Sequence, residues 1–317
     1  MKNMRMLFLG TSSFALPSLR LLAKNIRHLA VVTRPDRPAG RGKFLSATPV
    51  KKETLKHGLK LFQPEDHKGL FEVLKEVNPE ILVNVAYGML IKSDVLKFPS
   101  LGCINLHPSL LPAYRGAAPI QRALMAGEEV TGVTVLYMTS RLDAGDIILQ
   151  EKINVGSEEN YGALHDRLAD LGAQTLLKAV KLVASGKVTR QRQDENKATY
   201  APVISKKEEA IKWAKPATFI HNFVRSLDPT PGAYTYFGRK RLKVWKTSLA
   251  EIPKEKVQLA KQSFLPGMLC AIGKDYIGVV TGQGILKILE LQLEGRKRMT
   301  VEDFLKGCRM EVGEKFE

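Results

Sequence analysis

The amino-acid sequence predicts an α/β protein in two parts: a Rossmann-like, mostly parallel sheet domain over residues 1–188, a linker over 189–207, and a small OB-like β-barrel over 208–317. Three observations carry this. A chain of 317 residues exceeds the usual size of one domain. Its first half alternates apolar, β-branched runs with amphipathic stretches, the pattern of a parallel sheet covered on both faces. Its last third instead carries short strands at regular intervals, punctuated by turns, as small barrels do.

Taken in order, residues 6–9 read as a first strand ended by Gly10, residues 16–22 have helical spacing, and residues 29–33 form a second strand. The turn Leu9-Gly10-Thr11-Ser12-Ser13 lacks the GxGxxG phosphate fingerprint, so it reads as a tight strand-to-helix turn with Ser12 or Ser13 capping the helix. A helix over 70–77 precedes a strand over 81–85, and further strands follow over 103–106 and 133–138. Residues 161–184 make a long helix with Leu164, Leu168, Leu171 and Leu176 facing one way. Residues 189–207 are polar and poor in large apolar groups, which marks the linker. Beyond it come a short helix over 219–227 and two hairpins, 234–237 with 241–245 and 276–280 with 285–291. Trp213 and Trp245 are assigned to packing within this domain.

Charge narrows the function classes. Lys and Arg number 49 against 32 acidic residues, a formal charge of +17, and a polyanionic partner is the sharp interpretation of that excess. The cations cluster at Arg34, Arg37, Arg41 and Lys43, at Arg239, Lys240 and Arg241, and at Arg296, Lys297 and Arg298, which favours a phosphate-tracking surface. Cys103, Cys270 and Cys308 are odd in number and far apart, so neither a disulfide framework nor a zinc site is expected, and a reducing, cytoplasmic setting fits. The apolar run after Arg5 is too short for a signal-peptide core, and no stretch is long enough to span a membrane. A monomer is expected.

The chemistry concentrates around Asn105-Leu106-His107-Pro108-Ser109-Leu110-Leu111-Pro112. Asn105 and His107 are two apart at the end of an apolar strand, so their side chains project to one side. Ligands of open parallel sheets gather outside the carboxyl ends of the strands. An amide donor and an imidazole placed there can stabilise an oxyanion formed from a carbonyl. Pro108 and Pro112 stiffen the loop that follows. The strand over 133–138 runs into a loop over 139–146, expected to emerge at the same edge of the sheet and to pair Asp143 with His107.

Asn105, His107 two residues on, the Ser-Leu-Leu-Pro segment, and a distant Leu142-Asp143-Ala144-Gly145-Asp146 loop together form a pattern that resembles the folate-dependent formyltransferases. The resemblance implies Asn105, His107 and Asp143 as the catalytic set. It implies that 10-formyltetrahydrofolate, the formyl donor, is contacted by Ser109, Leu110, Leu111 and Pro112 together with Ala86, Tyr87, Gly88, Met89 and Leu90, and that no metal is needed. The stretch 34–43 resembles the inserted loop with which the tRNA-directed branch of the family approaches an acceptor end, and residues 116–122 also look like that branch. Aminoacylated initiator tRNA is therefore the implied partner, met by Arg34, Arg37, Arg41, Lys43, Arg239, Lys240 and Arg241. The implied reaction formylates the free α-amine of the methionine that the tRNA carries. Pro35, Pro38, Gly40 and Gly42 argue against regular structure in the loop itself.

Rival interpretations share parts of this pattern. A formyltransferase acting on a sugar-nucleotide amine, or a formyl-folate hydrolase, would keep the triad but has no reason to carry the basic loop. An RNA-binding module with lapsed activity is opposed by the intact triad. A dinucleotide oxidoreductase lacks its phosphate fingerprint.

Overall fold

The computed structural model describes residues 3–39, 44–249, 251 and 265–317. These form two compact units, Met1–Pro119 with Val130–Asn154 and His165–Ala201, and Ile120–Glu129 with Val155–Leu164 and Pro202–Glu317.

The first unit holds β1 (Arg5–Gly10), β2 (His28–Val32), the short pair β3 (Arg37–Ala39) and β4 (Phe44–Ser46), β5 (Lys60–Phe62), β6 (Ile81–Val85), β7 (Cys103–His107), β8 (Val130–Tyr137) and β9 (Ile147–Asn154). Seven of them form one sheet in the order β5-β2-β1-β6-β7-β8-β9. Strands β5 to β7 along that order are parallel, β8 runs antiparallel to β7, and β9 runs antiparallel to β8. The chain travels outward from β1 to β2 and β5, then returns to β6 on the other side of β1. That reversal opens a crevice at the carboxyl ends of β1 and β6.

Sequence explains the layers. Met6, Leu7, Phe8 and Leu9 are all buried, as a strand covered on both faces requires. In α3 (His67–Val77), Leu70, Val73 and Leu74 recur at helical spacing and pack with Leu7, Leu9 and Leu82. The Asp66 carboxylate caps its start by accepting from Gly69 N at 2.8 Å, and Asn78 ends it in the left-handed region. On the other face, α6 (Tyr161–Ala184) approaches β7 so closely that a Cβ at Gly172 would lie 2.8 Å from Leu106 Cδ2.

Three expectations change. Neither Ser12 nor Ser13 caps the first helix: Ser13–Ala15 form a 3-10 turn with no side-chain cap, and α1 (Leu16–Asn25) begins after it with proline in its first turn. The stretch 34–43 is not wholly irregular, because β3 pairs with β4 in register Arg37↔Ser46, Pro38↔Leu45 and Ala39↔Phe44. A two-stranded ribbon consists only of edges, where proline is tolerated. Finally, the polar stretch expected as a linker is divided. As far as Ala201 it lies on the first unit as a strap, with Ile147 and Gln191 exchanging backbone hydrogen bonds of 2.8 and 3.0 Å.

In the second unit, β10 (Ala233–Phe237), β11 (Lys240–Ser248), β12 (Leu269–Ile272), β13 (Ile277–Val280) and β14 (Ile285–Leu293) form an antiparallel sheet in the order β10-β11-β14-β13-β12. Residues 313–317 close it. Gly313 N and Phe316 N donate to Leu269 O and Gly267 O on the β12 side, while Glu317 and Tyr236 exchange hydrogen bonds of 3.1 Å with β10. Among the described residues the sheet is thereby closed into a small barrel. Its inside is filled by Leu242, Val244, Ile277, Val279, Leu286 and Ile288, with α7 (Ala217–Ser226) contributing Ile220 and Val224. Phe316 is buried in the same core, stacked on Trp213 with ring centroids 5.7 Å apart and edge-on to Phe237 at 5.9 Å.

Phe316 thus supplies both core volume and the closing strand. Phe316→Ala is expected to destabilise the second unit by about 3–5 kcal/mol in denaturant unfolding followed by Trp213 fluorescence. A loss under about 1 kcal/mol would show that closure does not depend on that ring.

Candidate active site

The face of β6 and β7 that is apolar at Leu82 and Cys103 turns polar toward the carboxyl ends, at Asn84, Asn105 and His107. Asn105 and His107 are both buried. Asn84 Nδ2 donates to Asn105 Oδ1 at 2.8 Å, which fixes the amide so that Asn105 Nδ2 faces Asp143 Oδ1 at 3.4 Å. His107 Nε2 lies 2.9 Å from the carbonyl of Tyr114 and so must carry a hydrogen, since a carbonyl only accepts. Its Nδ1 lies 3.6 Å from Asp143 Oδ2. Nε2 therefore donates to a carbonyl, while Nδ1 faces the Asp143 carboxylate across a gap longer than a hydrogen bond. Gly116 N donates to the same Asp143 oxygen at 2.9 Å.

The route by which Asp143 arrives differs from the expectation. Because β8 is antiparallel to β7, pairing His107 with Thr134 and Ile104 with Tyr137, its last residues lie at the opposite end of the sheet from His107. The loop after β8 does not emerge beside the site. It folds back, with Asp143 in the left-handed region at φ 49° and Gly145 pressed on the Tyr137 carbonyl, where a Cβ would sit 1.8 Å from the oxygen.

Residues that sequence reasoning passed over hold this arrangement. Gln193 Nε2 donates to the carbonyls of Asp143 and Gly145 at 2.8 and 2.7 Å. Its Oε1 accepts from Arg115 Nε and Nη2 at 3.2 and 2.8 Å. Arg115, only 1% exposed, also grips Glu195 with two hydrogen bonds of 3.1 Å, and Arg141 reaches Glu195 at 2.5 Å. A guanidinium so deeply buried requires such a paired, saturated set of acceptors. Thr199 holds the neighbouring turn: its hydroxyl accepts from Tyr114 N at 2.8 Å and its carbonyl from Arg115 N at 2.8 Å. Gly116, at φ 121°, lies against Ala201, where a Cβ would meet the carbonyl at 2.8 Å. Only Arg115 had any signal, as part of the motif; Gln193, Glu195 and Thr199 sit in a stretch without periodicity.

The expected folate walls lie at adjacent strand ends. After β7, Ser109 donates to Ala113 O at 2.7 Å, while Thr134 Oγ1 donates to Ser109 O and accepts from Leu111 N. Ser109 and Leu111 are buried, and Leu110 and Pro112 are half-buried. After β6, Thr11 donates to Tyr87 O at 2.8 Å, Ala86 and Gly88 have positive φ, Met89 is half-buried and Leu90 is exposed. Tyr87 is buried without a hydrogen-bond partner for its hydroxyl, and burial pushes that hydroxyl up to about 12. These segments meet Asn105 and His107 at the carboxyl edge of the sheet.

The cationic residues separate into anchored and open ones. Arg34 Nη1 lies 3.4 Å from Gly88 O, and its carbonyl accepts from Gln63 at 3.0 Å. Arg37 is exposed on β3; Arg41 and Lys43 lie outside the described residues. In the second unit Arg239 and Lys240 are exposed at the hairpin turn, whereas Arg241 stacks 3.7 Å over the Tyr234 ring and pairs with Glu209 at 3.2 Å. Arg298 is engaged with Asp228 at 2.5 Å and Glu290 at 2.7 Å. Among the described residues, no group of His, Cys, Asp and Glu is arranged to hold a metal ion, and no helix is long and apolar enough to cross a membrane.

Comparison with known proteins places both parts of the chain in one family. Residues 4–180 match the formyl transferase family, and residues 203–309 match the formyl transferase C-terminal domain. The methionyl-tRNA formyltransferase of Syntrophus aciditrophicus is 43% identical over 99% of both chains. Among solved structures, the methionyl-tRNA formyltransferase of Clostridium thermocellum superposes with a TM-score of 0.55 at 17% identity, covering 78% of this chain and 94% of that one. An N-formyltransferase of Helicobacter canadensis, solved with folinic acid and dTDP-3-aminofucose, superposes at 0.63 with 15% identity, covering 90% and 99%. The two solved structures share the fold.

The buried Arg115 pair also sets a pH response. Hydrogen bonds from Arg115 first, and from Arg141 second, hold the Glu195 carboxyl at about 2. A carboxyl lowered in this way contributes stability above its unfolded value and loses it as pH falls through the folded one. Carboxyl titration by NMR is expected to find Glu195 ionised down to about pH 2, and Arg115→Met is expected to return it toward the ordinary carboxylate range. An ordinary midpoint in the unaltered protein would contradict the pairing.

Proposed function

We propose, for a chain that belongs to the formyl transferase family, that it transfers the formyl group of 10-formyltetrahydrofolate to the free α-amine of methionine esterified to initiator tRNA. The observation that carries this is the convergence of Asn105, His107 and Asp143 at the carboxyl edge of the sheet, beside the 86–90 and 109–112 segments. Relatives named for this activity match nearly the full length of the chain.

The amine nitrogen attacks the formyl carbon, and the carbonyl oxygen gathers negative charge. Asn105 Nδ2 and the imidazolium of His107 are assigned to that oxyanion. The Asp143 carboxylate stabilises the charged ring and assists removal of the amine proton. Collapse breaks the bond from the formyl carbon to N10 of the folate, and N10 takes up a proton. The products are N-formylmethionyl-tRNA and tetrahydrofolate, and the step balances with no further reactant. Ser109, Leu110, Leu111, Pro112 and residues 86–90 are assigned to the folate.

For the tRNA we assign Arg37, Arg41 and Lys43 of the 34–43 stretch and Arg239 and Lys240 of the barrel; of these, Arg37, Arg239 and Lys240 are exposed. Arg34 and Arg241 have more limited roles, since each is already anchored within its own unit. We further infer a cytoplasmic monomer acting away from membranes. Three free cysteines and a tRNA substrate fit that compartment. The second reading, formylation of a sugar-nucleotide amine, explains the triad but not the exposed cations.

The direct test is formylation of charged tRNA by the purified protein with 10-formyltetrahydrofolate. Asn105→Ala and His107→Ala are each expected to lower kcat by about two to three orders of magnitude with little change in tRNA binding. Near-normal turnover in either, or formylation only of a small sugar amine, would reject the assignment. The cationic surface has its own measurement. The affinity for tRNA is expected to fall linearly with salt on a log–log plot, and neutralising Arg239 and Lys240 to flatten the slope by about 1–2. An unchanged slope would make that turn a solvated face.

A further inference from the structure

We propose that Gln193 is a positioning residue for the formyl transfer: it holds the folded-back loop that brings the Asp143 carboxylate to His107. The inference rests on the roles assigned above to Asn105, His107 and Asp143.

The need for such a residue follows from the topology. The loop between β8 and β9 starts at the end of the sheet away from His107 and must return, with Asp143 in a backbone region that side chains rarely adopt. Two of its carbonyls, those of Asp143 and Gly145, then turn inward where no strand supplies a donor. Gln193 satisfies both with the two hydrogens of one amide nitrogen, at 2.8 and 2.7 Å. A half-satisfied site would leave a buried carbonyl unpaired and favour release of the loop.

The other end of the amide explains why the side chain is Gln. Its oxygen accepts from Arg115 at 3.2 and 2.8 Å, so the position must donate toward two carbonyls and accept from a guanidinium at once. A Glu there has no hydrogens for the carbonyls, and a Lys or Arg has no acceptor. The side chain is itself held: Gln193 is 6% exposed, the chain is tied to β9 at Gln191, and Arg115 is clamped by Glu195. The same strap sets the second acceptor on His107. Thr199 fixes Tyr114 and Arg115 through their backbone nitrogens, and the Tyr114 carbonyl receives His107 Nε2. Gln193 joins the Asp143 loop to Arg115 through a single side chain.

The test compares Gln193→Glu, Gln193→Met, Asp143→Asn and the double variant Asp143→Asn/Gln193→Met in the full-length protein. Gln193→Glu keeps the acceptor for Arg115, and Gln193→Met keeps the length without charge. Each single Gln193 variant is expected to lose about 10- to 100-fold in kcat, since a displacement of about 1 Å in a reacting group has effects of that size. KM for both substrates is expected to stay within about threefold, while the melting temperature falls by roughly 5–10 degrees because buried groups lose their partners, so kcat is measured well below it. In the Asp143→Asn background, Gln193→Met is expected to add no further loss, because the group it positions is already disabled. A folded Gln193 variant with unaltered kcat overturns the proposal. So does a loss expressed in KM alone, a failure of both variants to fold, or full additivity in the double variant. If Asp143→Asn itself turns over normally, the catalytic reading falls and the proposal falls with it; if Asp143→Asn is inactive while Gln193→Glu is normal, only the positioning role is lost.

Discussion

The active-site region depends on one conflict between topology and hydrogen bonding. The sheet is parallel as far as β7, which delivers Asn105 and His107 to its carboxyl edge, but the next strand runs the opposite way. The acidic partner is therefore carried on a loop that starts at the wrong end. Bringing it back requires a left-handed Asp143, a glycine at 145 where no Cβ fits, and donors for carbonyls that have left the ladder. Much of the surrounding polar structure follows from those requirements. Gln193 answers the carbonyls, Arg115 orients Gln193, Glu195 neutralises Arg115, and Arg141 shares the load at the surface.

Charge in this protein divides by the same logic. Cations that hold structure are buried or stacked and have acidic partners within hydrogen-bond distance, as do Arg115 with Glu195, Arg241 with Glu209, and Arg298 with Asp228. Their charge is largely offset by those partners, so they add less to the capture of a polyanion than unpaired cations do. Arg239, Lys240 and Arg37 are exposed and carry the field that a phosphate backbone would sense. A run of basic letters such as Arg239-Lys240-Arg241 therefore contains two kinds of residue, and only the tertiary structure separates them.

Legibility from sequence follows the range of the physics involved. Strand alternation is local, so the shared face of Asn105 and His107 could be read from their spacing, and the long helix over 161–184 was visible in its apolar stripe. Strand direction is not local. Nothing in residues 130–137 says that they run antiparallel, and so the pairing of Asp143 with His107 was legible while its path was not. The strap failed for a related reason. Its polar side chains read as solvent-facing because hydrogen-bonding partners such as Asp143 and Arg115 lie 50 and 78 positions away. Residues 313–317 offered one apolar letter, Phe316, too little to announce a barrel-closing strand.

The strap also comes late in the chain. Parallel pairing of β1, β2, β6 and β7 involves residues 5–107, whereas the bonds to Arg115 and Asp143 wait for residues 191–201. Contacts that close long loops form late, since their chain entropy must be lost first. A fragment cut at residue 188 would keep the seven strands yet lack Gln193 and Thr199. A domain boundary drawn where the long helix ends would divide the sheet from the side chains that hold Asp143 and the Tyr114 turn.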